Sequence, residues 1–175
     1  GGGGAAGAWR GFVPFAHAGS NVTLSQGGAV ATKSGGGYDI TNAVAAADES
    51  LSAGVHCWEV EITKGTEIMV GVCKADVRPE SGTENLFNQQ GKAWVMYATS
   101  GSLFPGDTDD AGDVIEGARL GCKLDLGAGT LTFYLNGVKH GPGWTGIVGP
   151  VKRCVEIGNK GDSVTLVRTE PAFRD

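Results

Sequence analysis

The sequence predicts an all-β fold, a sandwich or barrel of short antiparallel strands, and three observations predict it. Between residues 120 and 139, apolar residues recur at every second position in two successive runs, each closed by a glycine-containing turn. Glycine, with 31 copies in 175 residues, divides the chain into short segments without a Gly-X-Y period. No segment carries a convincing amphipathic helix, and no repeat of fixed period is visible.

The central run is the clearest. Leu120, Cys122 and Leu124 alternate with Gly121, Lys123 and Asp125, and Gly127-Ala128-Gly129 ends that strand. Leu131, Phe133 and Leu135 then alternate with Thr130, Thr132 and Tyr134. Asn136-Gly137 is the dipeptide best suited to a type I′ turn, and Val138-Lys139 begins the return. Two hairpins in succession make an antiparallel meander.

Taken from the start, residues 1–15 read as a glycine-rich head that Trp9, Phe12 and Phe15 dock onto the body; residues 16–170 form one domain and 171–175 a tail. Residues 21–25 alternate as an early strand, Gln26-Gly27-Gly28 turns it, and Ala29 to Thr32 return. The alanine run 43–47 offers a helical turn, too short and uncapped to stand on its own. In 54–62, Trp58, Val60 and Ile62 fall on one face and Cys57, Glu59 and Glu61 on the other. Residues 68–73 are almost continuously apolar, as in a strand covered on both sides. Residues 74–92 are polar and aperiodic, a long connection for a compact domain and therefore a functional or mobile one. The sheet resumes at Trp94 to Tyr97, a second irregular acidic stretch spans 104–112, and 151–157 and 164–167 supply two closing strands.

Composition narrows the function. Hydrophobic residues make up 41% of the chain, too many for disorder. The net charge is −5, with lysines and arginines scattered, which argues against nucleic acid and against anionic membrane as partners. The longest apolar runs fall far short of the ~20 residues a membrane helix needs. The head GGGGAAGA has neither the basic start nor the apolar centre of a signal peptide. The four cysteines lie far apart inside strand-like runs, which fits buried thiols in a reducing compartment better than a metal site, with a disulfide of unassigned partners as the alternative. The expected setting is intracellular and cytoplasmic.

Chemistry-bearing motifs are weak. Read as a calcium loop from Asp107, Gly112 falls at the sixth position, but Ala111 and Ala118 occupy the fifth and twelfth, where oxygen ligands are required. A solvated acidic turn is the better reading, and no metal or other cofactor is expected. His17, His56 and His140 are widely spaced, no nucleophile motif accompanies them, and no catalytic residue is assigned. The glycine-rich 141–146 precedes no helix and cannot cradle phosphate as a helix N-terminus does. Trp58 reads as core; Trp144 reads as core filler in preference to an exposed anchor.

As a set, the strongest runs resemble the SPRY domain family. Gly54-Val55-His56-Cys57-Trp58-Glu59-Val60 matches its G-x-H-Y-W-E-V, with Cys57 in place of tyrosine. Val70-Gly71-Val72, Trp94, Gly112-Asp113-Val114-Ile115 and Lys123-Leu124-Asp125-Leu126 follow in the family's order. Residues 129–137, GTLTFYLNG, are close to its G-T-L-S-F-Y-x-N-G, and Pro150-Val151 and Val164-Thr165-Leu166 complete the order. The likeness spans about residues 21–167. It departs at the spacer 116–119 and at 149–154, which lacks the usual L-Y-P-x-V. The resemblance implies a bent antiparallel two-sheet β-sandwich, without catalytic activity, that recognises a peptide or folded protein through loops at one end, as a domain or subunit of a larger assembly.

Long loops on a rigid frame place that surface at 79–90, 104–112 and 159–162, with a contribution from 33–40. Tyr38, Leu86, Phe87 and Phe104 are the expected apolar anchors, since large apolar and aromatic side chains dominate interface energy. Arg78, Asn159 and Lys160 are expected to meet backbone or acidic groups of the partner. The alternative is a lectin-like sugar binder, whose cue would be loop aspartates and asparagines beside an exposed Trp144 platform.

Overall fold

A computed structural model describes residues 9, 11–36, 43–46, 50–81, 91–106 and 111–175. In chain order the strands among them are β1 (Phe15–Ala18), β2 (Val22–Ser25), β3 (Val30–Lys33), β4 (Ala43–Ala46), β5 (Val55–Lys64), β6 (Ile68–Lys74) and β7 (Ala93–Tyr97). They continue as β8 (Leu103–Phe104), β9 (Arg119–Asp125), β10 (Thr130–Leu135), β11 (Val138–Lys139), β12 (Val151–Ile157) and β13 (Ser163–Leu166). Two antiparallel sheets result, ordered β1-β4-β12-β6-β7-β8 and β11-β10-β9-β5-β13-β3-β2. The sandwich expected from the sequence is therefore the fold.

The two-residue period decides which atoms lie between the sheets. Trp58, Val60 and Ile62 of β5, Leu120, Cys122 and Leu124 of β9, and Leu131 and Phe133 of β10 line one side. Ile68, Val70 and Val72 of β6, Met96 of β7, and Val151, Val155 and Ile157 of β12 line the other. The near-continuous apolar run of β6 is explained by a second cluster on the outer face, where Cys73 packs with Val77, Ala93, Val95 and Cys154. All four thiols are free and buried. Burial pushes Cys57, Cys122 and Cys154 above the ordinary thiol range, with the Cys73 contact adding to the effect at Cys154. These cysteines serve as small hydrophobes.

The Asn136-Gly137 turn forms as expected, with both residues at positive φ (49° and 87°). The alanine run differs from its expectation. Ala43–Ala46 is a strand, paired with Phe15–Ala18 on one side and with Cys154 to Glu156 on the other. Helix propensity in a four-residue segment is worth little against two flanking ladders of hydrogen bonds.

The registers define two ends of the sandwich. Ile68 pairs with Ile157 and Ser163 with Lys64, so the connections 65–67 and 158–162 lie together at what is here the Lys64 end. Lys74 pairs with Val151 and Cys73 with Ala93, so the connection from β6 to β7 leaves from the opposite, Lys74 end. Among the described residues, no helix is long and apolar enough to cross a membrane.

Candidate functional site

A cleft of about 810 Å³ opens at the Lys74 end. Its walls are the end of β6 (Lys74, Ala75, Asp76), Arg78, the approach to β7 (Gly91, Lys92), Ser50 and Pro150. Strand register brings these together: the Lys74 amide donates to the Lys92 carbonyl at 2.8 Å, and the Ala75 amide donates to that of Pro150 at 3.0 Å. The Lys74 ammonium is held in place by donating to the Val148 carbonyl at 2.7 Å. Arg78, Lys92 and Pro150 are exposed. Among the described residues of its lining, three cations stand against the carboxylate of Asp76, a positive balance on a chain whose net charge is −5. Field lines converge in such a cleft, which favours an acidic ligand.

The opposite end has a different character. Lys33 is fully buried, and its ammonium donates to the Gly158 carbonyl at 2.6 Å, so this lysine supports the 158–162 loop from beneath. The Asp162 amide closes that loop by donating to the Asn159 carbonyl at 3.1 Å. Burial, then the neighbouring Glu67, raises the Asp162 carboxyl above its usual range. Glu116 accepts from the Gly65 amide at 3.0 Å. Three carboxylates (Asp162, Glu67 and Glu116) share this end with the exposed Lys64 and Lys160, so its charge is mixed.

Of the expected site residues, the described ones fall at different places. Arg78 lines the Lys74-end cleft, whereas Asn159 and Lys160 sit at the Lys64 end. Phe104 is half-buried on β8, its ring edge-on to Tyr97 (5.9 Å, 82°) and packed on the outer cluster of the β6–β7 face. Tyr38, Leu86 and Phe87 lie outside the described residues, as do Asp107, Asp109 and Asp110. Lys74, Lys92 and Pro150 line the cleft without any local sequence motif marking them for it. The signal for the two lysines was their position as charged residues bounding the long polar connection.

Other polar groups have local duties. His17 donates to the Glu80 carboxylate at 2.8 Å, His56 to the Ala53 carbonyl at 2.9 Å and His140 to that of Gly112 at 2.9 Å. Trp144 is half-buried against the main core and its indole N–H donates to the Val95 carbonyl at 3.2 Å. It is the core filler expected, and the glycan reading loses its platform. Among the described residues, no group of three or more His, Cys, Asp or Glu side chains is placed to hold a metal ion.

A bent pair of antiparallel sheets with a charged cleft at one end, and polar side chains occupied in local structure, defines a β-sandwich scaffold that presents a surface. Residues 55–166 match the SPRY domain family, and the chain belongs to it. SPRY domain-containing SOCS box protein 3 of Xenopus laevis is 28% identical over 106 residues, 57% of this chain and 29% of that protein. Human E3 ubiquitin-protein ligase TRIM4 is 31% identical over 89 residues, 48% of this chain and 17% of that protein. The chain thus spans less than a third of the length of these curated relatives. Among solved structures, the SPRY domain of human HERC1 superposes with a TM-score of 0.75 at 21% identity, covering 89% of this chain and 98% of that one. The TRIM65 PSpry domain gives 0.70 at 20% identity, with 93% of each chain covered.

Proposed function

We infer that the chain is a non-catalytic protein-recognition module, part of a larger protein or assembly, whose Lys74-end cleft takes an acidic stretch of a partner protein. The observation that carries this is the charge of the cleft, with Lys74, Arg78 and Lys92 converging on one concavity of an otherwise anionic chain. The exposed Pro150 adds an apolar part to the lining, so the best ligand places an aliphatic residue among its acids. Relatives that carry a SOCS box or are ubiquitin ligases support the recognition role. No covalent step is assigned to the cleft, whose lining sets no histidine or cysteine beside the exposed Ser50 hydroxyl.

The test uses fluorescent peptides with four acidic residues flanking a leucine, and their lysine counterparts, at two salt concentrations. The acidic peptides bind and weaken with added salt, while the lysine peptides do not bind. Arg78→Glu combined with Lys92→Glu costs about 1–2 kcal/mol, roughly tenfold in Kd, without lowering Tm. Equal binding of both peptide sets, or binding indifferent to the charge reversal, rejects the cleft as the site.

A further inference from the structure

The outer face of the β9–β10 hairpin, away from the cleft, is covered by the chain's own residues 172–175. They are held there by backbone hydrogen bonds at Arg174. The Arg174 amide donates to the Gly137 carbonyl at 2.7 Å, and the Lys139 amide donates to the Arg174 carbonyl at 2.9 Å, a parallel bridge onto β11. β11 is the edge strand of its sheet, so this segment adds a strand to an open edge.

Side chains at alternate positions of the segment are read by the face below. The Phe173 ring stacks on Tyr134 with centroids 4.2 Å apart and planes 3° from parallel. Asp175 accepts a 2.5 Å hydrogen bond from the Tyr134 hydroxyl. Gly121, whose φ is not in the left-handed region, forms the floor: a Cβ there would run into the edge of the Phe173 ring. Arg174 points outward and is exposed, as are Arg168, Thr169, Glu170 and Ala172, which lead the segment in.

We propose that Gly121, Tyr134 and the β11 edge form a docking site for an extended aromatic–any–acidic peptide segment, which the chain fills in cis with residues 172–175 and yields to the same pattern on a partner protein. Backbone pairing supplies sequence-independent affinity. The glycine floor and the tyrosine hydroxyl select the aromatic ring and the carboxylate two residues later. A short tether holds the cis segment at an effective concentration on the order of millimolar, so a partner competes only when it carries the full pattern.

The experiment titrates a labelled peptide spanning residues 169–175 into the full chain. The wild-type chain, with its site filled, binds weakly. Phe173→Ala frees the site and binds the peptide at least about tenfold more tightly. A peptide carrying Asp175→Asn, or a chain carrying Gly121→Ala with Phe173→Ala, loses that gain. A folded Phe173→Ala chain that binds no better than wild type overturns the proposal. A second measurement needs no variant: in the wild-type chain, the Lys139 and Arg174 amides exchange through local opening, much faster than the Val70 amide of β6. Protection of all three at the level of global unfolding also overturns it, because the segment would then be inseparable from the body.

Discussion

At the scale of single residues, the decisive positions are those where an atom is absent or a single polar group is satisfied across the sandwich. Gly71 sits in β6 opposite Val95, and a Cβ there would collide with the Trp94 carbonyl oxygen. The requirement is space, because Gly71 is not among the residues at positive φ. Gly71→Ala should push β6 from β7 and lower stability by about 1–3 kcal/mol, read from urea midpoints at unchanged m-value. An alanine variant within 0.5 kcal/mol of wild type, on the order of a neutral surface change, would show that β7 yields freely. Trp58 was legible as core because it recurs in phase with Val60 and Ile62. The role of Gly121 was not legible, since its constraint comes from Phe173, 52 residues later, and leaves no trace in local pattern.

At the scale of elements, the meander was readable strand by strand because each signal is local: alternation, a glycine break, alternation again, then Asn-Gly. The structure adds a second duty for Asn136, whose side-chain oxygen accepts from the Arg119 amide at 2.9 Å and ties the turn to the start of β9. Two substitutions separate these contributions. Gly137→Ala puts a side chain at φ 87° and within 2.8 Å of the Ala172 carbonyl oxygen, and should cost about 1–2 kcal/mol. Asn136→Gly keeps the turn geometry and loses the hydrogen bond, at about 1 kcal/mol. Thermal melts of both variants check the order, and an Asn136→Gly chain less stable than Gly137→Ala would reverse the assignment. β4 marks where local signals fail. An alanine-rich run carries no alternation to read, and its extended form comes from β1 and β12, the latter more than 100 residues away. The cleft was half legible for the same reason: the long connection was evident, but only register sets Pro150 beside Ala75 and Lys92 beside Lys74.

At the scale of the whole molecule, buried carboxylates and net charge act on stability in the same direction. Glu59 faces outward from β5 yet is only 6% exposed, and burial raises its pKa, offset in part by Arg119 at 3.7 Å. Burial raises Asp162 likewise, with Glu67 adding to it. A carboxyl whose folded pKa exceeds its unfolded value holds its proton more tightly when folded. Its contribution is complete below the ordinary carboxylate range, about 4, and is lost as pH rises through the raised value. Asp175 runs the other way: the Tyr134 hydroxyl lowers its pKa, so its contribution is present above the ordinary range and lost as pH falls through the lowered one. That group is exposed and its weight is small. Self-repulsion of the net charge of −5 also relaxes as pH falls toward the sequence pI near 5.2. Tm should therefore rise as pH is lowered from neutrality toward 5, measured at low protein concentration to avoid association near the pI. Glu59→Gln should raise Tm at neutral pH and flatten the rise, because the amide carries no charge to desolvate. A wild-type Tm that falls steadily over this interval, or a Glu59→Gln chain with an unaltered slope, would mean that the buried carboxylates do not govern the acid side of the stability profile.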